Sequence, residues 1–216
     1  MNRRSFLRTL SGSLALHALR VSASPLPIFT DKTLRSGVTF KHKASLTSQK
    51  YLIEAMSGGV AAFDYDSDGN LDLFFVNGAA LRDPMRAGDK PDKSAPAFWN
   101  RLYRNNGHGK FTDVTEEAGL RGHSYGMGVA VADYDNDGFP DIYVTNFGEN
   151  ILYHNNGDGT FTDVTKHAGV AAGGWSTGAA FVDFNRDGLL DLVVARYLDW
   201  DFSKNVPCGE NRPGCR

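Results

Sequence analysis

Gly128-Val-Ala-Val-Ala-Asp-Tyr-Asp-Asn-Asp-Gly-Phe-Pro-Asp-Ile-Tyr-Val-Thr145 sets two short apolar runs on either side of a loop rich in aspartate. β-Branched and aromatic runs bounded by Gly, Asn and Asp read as strands, and the Asp-Asn-Asp-Gly between them as a tight turn. The phrase occurs twice more, as Gly59-Val-Ala-Ala-Phe-Asp-Tyr-Asp-Ser-Asp-Gly69 and Gly178-Ala-Ala-Phe-Val-Asp-Phe-Asn-Arg-Asp-Gly188. An internal repeat of this kind makes the fold an array of one supersecondary unit.

A second phrase repeats in the same frame. Arg101-Leu-Tyr-Arg-Asn-Asn-Gly-His-Gly-Lys-Phe-Thr-Asp-Val-Thr115 returns 50 residues later as Ile151-Leu-Tyr-His-Asn-Asn-Gly-Asp-Gly-Thr-Phe-Thr-Asp-Val-Thr165. Asp133 and Asp183 are also 50 residues apart, whereas Asp64 and Asp133 are 69 apart. The extra length falls at Arg82–Phe98, rich in Pro, Lys and Asp, which reads as an inserted surface loop. In the middle copy the strand-like runs are Met127–Ala132, Asp141–Thr145, Ile151–His154 and Thr160–Val164. Asn105-Asn106-Gly107 and Asn155-Asn156-Gly157 mark hairpin turns, because Asn and Gly accept positive φ cheaply. A sandwich or solenoid would use the same hairpins, but four strands per period is the pattern of a propeller blade. The expected fold is all-β, with β-propeller blades of four antiparallel strands over residues 24–200. About three blades are expected, and hence an incomplete propeller.

The loops carry the strongest chemical signal. They present Asp64, Asp66, Asp68, Asn70 and Asp72; then Asp133, Asp135, Asp137, Phe139 and Asp141; then Asp183, Asn185, Asp187, Leu189 and Asp191. Calcium takes six to eight oxygens at about 2.3–2.6 Å. Alternate residues of a tight loop can aim carboxylates at one point. Asn70, Phe139 and Leu189 would offer backbone carbonyls, and the last aspartate closes the shell. Without a cation these carboxylates repel one another and their pKa values rise. An EF-hand would need Glu at the twelfth position, where Phe75, Val144 and Val194 stand. The competing reading is that the aspartates only form turns. Three loops in repeat frame favour up to three calcium ions, with the third weakest because Asn185 replaces an acid. The six histidines show no ligand spacing, and His154 shares its repeat position with Arg104.

These phrases resemble the FG-GAP and VCBS repeat families, and among them the bacterial relatives of cartilage acidic protein. The resemblance covers about Ser36 to Trp200 and rests on the aspartate loops and on the two LYxNNGxGxFTDVT runs. It implies calcium-bearing β-propellers like that of integrin α-subunits, with the loop residues named above as ligands. Such families carry more repeats, so further repeats in a longer chain, or a ring closed with another chain, are expected.

The chain has 216 residues with 41% hydrophobic and 22% charged, ordinary values for a folded protein. Its net charge of −2 argues neither for nor against a nucleic acid or a membrane surface, and no nucleic-acid partner is expected. Arg3 and Arg4, the weakly apolar Thr9–Leu19 and the small Val21-Ser22-Ala23 have the order of an export signal over residues 1–23. The paired arginines resemble a twin-arginine signal, so the expected location is periplasmic or secreted. No stretch reaches the roughly 20 apolar residues of a transmembrane span. Residues 201–216 form a tail whose Cys208 and Cys215 suggest a local disulfide in an oxidising compartment. No nucleophile–base set is visible, so a binding or adhesion module for protein or glycan is expected rather than an enzyme. The alternatives are a propeller-scaffold enzyme acting on polysaccharide, using the non-repeated Arg82–Trp99 or Tyr197–Arg216, and a structural piece of a larger secreted protein.

Overall fold

The computed structural model describes residues 29–86 and 88–206. The expected export signal and both cysteines lie outside the described residues. Met1–Asp31 forms a unit of its own, of which residues 29–31 carry no regular structure. The strands all belong to the second unit, Lys32–Arg216.

Its strands fall in the repeat frame. The first sheet has four antiparallel strands, β1 (Val60–Phe63), β2 (Asp72–Phe75), β3 (Arg101–Asn105) and β4 (Phe111–Asp113). The second has the same order, β5 (Tyr125–Ala132), β6 (Asp141–Phe147), β7 (Ile151–Asn155) and β8 (Phe161–Asp163). β9 (Ser176–Val182) and β10 (Asp191–Arg196) pair as a hairpin, the opening half of a third unit. The all-β class and the four-stranded antiparallel blade are as expected. Two blades are complete, and the third is represented by its first two strands.

Register is fixed by the same pair in each blade. Phe63 faces Asp72, Ala132 faces Asp141 and Val182 faces Asp191. Each aspartate loop is therefore closed at its neck by a ladder pair, with its last acid already in the strand.

Two apolar clusters hold the unit together. Phe74, Val76 and Leu102 of the first blade meet Ile142, Val144 and Ile151 of the second in one buried core. Side chains of this size contribute about 1.5–3 kcal/mol each on full burial. The first strands of successive blades approach closely, which requires small residues. A Cβ on Gly128 would stand 2.6 Å from the carbonyl oxygen of Thr177 and 2.8 Å from Oγ1 of Thr145. The second cluster joins Tyr51, Tyr125 and Trp175 to Phe147, Trp200 and Phe202, with ring centroids of Phe147 and Trp175 5.7 Å apart. Trp175 and Trp200 are thus packing residues.

The inserted loop is not wholly a surface feature. Ala80 and Asp92 form a β-bridge, and the next residue, Lys93, is only 6% exposed. Its Nζ donates to the carbonyl oxygen of Asn77 at 2.6 Å, with that of Ser124 at 3.5 Å. No carboxylate pairs with it among the described residues, and burial pushes its amine down to about 7. On the β9–β10 hairpin, Phe184, Leu189 and Val193 are exposed.

Candidate metal centres

Each loop is shaped by its own first aspartate. Asp64 accepts the N–H groups of Asp68 (3.0 Å) and Gly69 (2.8 Å). Asp133 does the same for Asp137 (3.0 Å) and Gly138 (2.9 Å), and Asp183 for Asp187 (3.1 Å) and Gly188 (3.0 Å). The fifth residue accepts from the seventh: Asp68 from Asn70, Asp137 from Phe139 and Asp187 from Leu189. Ser67, Asn136 and Arg186 occupy the left-handed region at φ 58°, 60° and 63°. The turn-forming role weighed from the sequence is therefore real in all three loops.

Burial separates the loops. Asp72 and Asp141 are fully buried, and each accepts two backbone N–H groups. Asp72 receives those of Tyr65 (3.1 Å) and Asn105 (2.7 Å), and Asp141 those of Tyr134 (3.1 Å) and Asn155 (2.8 Å). The N–H bonds lower both carboxyl pKa values, but burial outweighs them. Asp72 is raised, and Asp141 is pushed up to about 6. Asp66 is raised by burial and then by the charges of Asp68 and Asp64. In the exposed third loop the order reverses, and hydrogen bonds from Leu189 and Asn185 lower Asp187.

Three groupings place side-chain donors close enough to share one ion. They are Asp64, Asp66 and Asp72; Asp133, Asp135 and Asp137; and Asp135, Asp141 and His154, with donor atoms within 4.8 Å of one another. Asp68 joins no such grouping, and among the described residues neither do Asp183, Asp187 and Asp191. His154 was missed in the sequence because it lies on β7, a strand away from the loop, where spacing carries no signal.

The donor set fits a hard cation in the first loop. Oδ1 of Asp66 is buried and has no hydrogen-bond partner. A buried polar atom without a partner costs about 1–3 kcal/mol, so its position between two other carboxylates calls for a positive charge. The residues that would hold the ion are Asp64, Asp66 and Asp72, with the carbonyl of Asn70 available from the loop.

The other end of the strands carries a cleft. Tyr125 pairs with Phe147 there, seven residues along β5 from the Ala132–Asp141 pair. The cleft has a volume of about 820 Å³ and is lined by Arg86, Asp89 and Lys90 of the inserted loop, by His123 and Glu149, and by Asp201 and Phe202. It thus brings the two non-repeated segments together.

Repeated four-stranded blades with an acidic loop between their first two strands define a propeller-type repeat protein. The model of a family described as FG-GAP-like repeat matches residues 64–144 and 133–194. The chain belongs to the FG-GAP-like repeat family. Among curated proteins, none matches the chain. Within the described residues no helix is long and apolar enough to cross a membrane.

Proposed function

We propose that the chain is an exported, calcium-stabilised binding module that presents one rim of its blades to a protein or a glycan. The observation that carries the calcium reading is the grouping of Asp64, Asp66 and Asp72 around an unpartnered buried Oδ1. An ion there would offset the burial and the like charges that raise Asp66, and would lock the β1–β2 turn to β3 through Asp72. The third loop is the weakest site, because its acids are exposed and it has one carboxylate fewer. The 820 Å³ cleft supplies the ligand surface, with the Phe202 ring beside acidic and basic side chains. Export to the periplasm or beyond rests on the N-terminal arginines and the apolar run after them.

The test is capture on a glycan array and a panel of extracellular proteins, in calcium and in chelator, by the full chain. Calcium-dependent capture that is lost in Glu149→Ala or Arg86→Ala supports the reading. Turnover of a polysaccharide abolished by the same substitutions would replace it with the second reading, an enzyme on a propeller scaffold. That alternative is favoured by the way the cleft gathers both non-repeated segments.

A further inference from the structure

The first two loops are nearly superimposable in their hydrogen bonds, yet the third strand of each blade sets a different side chain beside them. In the first blade it is Arg104, whose charge lies close enough to Asp66 to pull its pKa down. Guanidinium has no lone pair to offer a metal. In the second blade the same repeat position holds His154, one residue before Asn155, whose N–H binds Asp141.

The imidazole is set among ligands. Nδ1 of His154 stands 3.2 Å from Oδ2 of Asp135 and 3.4 Å from Oδ1 of Asp141, and Nε2 stands 3.9 Å from Oδ2 of Asp137. Nδ1 is buried and makes no hydrogen bond, although both oxygens lie within ion-pairing distance of it. Atoms that hydrogen-bond meet head-on. Atoms that bind one ion stand side by side, roughly 3 Å apart for metal–ligand bonds of about 2.1 Å. Nδ1 of His154 and carboxylate oxygens of Asp135 and Asp141 lie within 4.8 Å of one another, close enough to share an ion. The Tyr134 ring meets the imidazole edge-on at 6.4 Å between centroids. Ligating histidines take an acceptor at the other ring nitrogen; here the carboxylate nearest to it, Oδ2 of Asp137 at 3.9 Å, stands beyond direct hydrogen-bond reach.

We infer that the second loop is a mixed nitrogen–oxygen site for a zinc-class divalent ion, ligated by Nδ1 of His154 with Asp135 and Asp141. The first loop, all-oxygen, keeps calcium. The inference rests on the reading that these loops hold cations, and it assigns the second a different one. Calcium seeks oxygen, whereas imidazole suits zinc and its transition-metal neighbours. A single repeat position would therefore sort two ions between two blades of the same chain.

The experiment is calorimetric titration of metal-free full chain with ZnCl₂ and separately with CaCl₂, using wild type, His154→Ala, His154→Arg and Asp66→Ala. Co²⁺ visible absorption reports nitrogen ligation in the wild type without any substitution. The expected result is a zinc event weakened at least 10-fold in both His154 variants and intact in Asp66→Ala, with calcium binding showing the opposite dependence. A Co²⁺ spectrum with a nitrogen ligand that disappears in His154→Arg supports it further. Zinc affinity unchanged in folded His154→Ala, or a Co²⁺ spectrum of oxygen ligation alone in the wild type, overturns the inference while leaving calcium at the first loop intact. Binding of neither metal overturns the cation reading as a whole.

Discussion

Oδ1 of Asp141 accepts the backbone N–H of Asn155 at 2.8 Å, so the last acid of the second loop is tied to the third strand of its own blade. Asp72 and Asn105 repeat the bond at 2.7 Å. The loop and the blade therefore share one carboxylate, and anything that changes its charge reaches the sheet.

The first prediction concerns pH. Unfolded, the Asp141 carboxyl titrates near its ordinary value of about 3.9. Folded, burial pushes it up to about 6. Its ionisation therefore costs stability. That cost is fully present above pH 6 and disappears as pH falls toward about 4. In metal-free protein, Asp141→Asn should raise stability relative to wild type at pH 7.5, and the advantage should shrink on descent to pH 5. Denaturant melts of both proteins across that range check it. An advantage that grows on acidification would contradict the assignment.

Lys93 gives a second prediction of opposite sign. Its amine is held down to about 7 in the fold and returns to about 10.5 when unfolded. Such a base destabilises the protein fully below pH 7, and stability rises with pH between the two values. Lys93→Met should flatten that alkaline rise. Asn77 loses nothing essential, because its carbonyl still accepts the Gly126 N–H at 3.1 Å. Thermal midpoints at pH 7, 8.5 and 9.5 decide. A variant as pH-dependent as wild type would place the charge elsewhere.

Gly128 sits where blades meet. Alanine there would drive a methyl against the Thr177 carbonyl at 2.6 Å, a backbone atom that cannot step aside alone. Gly128→Ala is expected to cost about 1–3 kcal/mol. Gly178→Ala, with nothing within 4 Å of its Cβ, should be close to neutral. Equal effects in urea melts would mean the blades are not packed as described.

Much of this was legible in the sequence because repeats expose their own frame. The Gly-Val-Ala phrase and the LYxNNGxGxFTDVT runs located all four strands of the middle blade, and the loop spacing named acids that the structure groups, Asp64, Asp66 and Asp72 in the first loop and Asp133, Asp135 and Asp137 in the second. What stayed hidden depends on neighbours distant along the chain. His154 reaches its loop across the sheet, and its partner in the repeat is an arginine of unrelated chemistry. Lys93 lies in a polar insertion, and only the Asn77 and Ser124 carbonyls, from two different blades, explain its burial. Asp68 satisfied the spacing, and its Oδ1 accepts from Asn70 twice within the turn. Spacing names the acids a loop contains; it does not say how near one another their oxygens come.

The central claim is that the first loop is a calcium site coupled to the fold. It is tested most directly by thermal unfolding of the full chain in calcium and in chelator, with Asp66→Ala beside wild type. Calcium at about 100 times its dissociation constant stabilises by about 2.7 kcal/mol per site. In a domain of this size that is a rise in midpoint of about 5–10 °C. The account predicts this rise in wild type and its loss in Asp66→Ala. A folded wild type with the same midpoint in calcium and in chelator would contradict it and reduce the aspartates to turn formers.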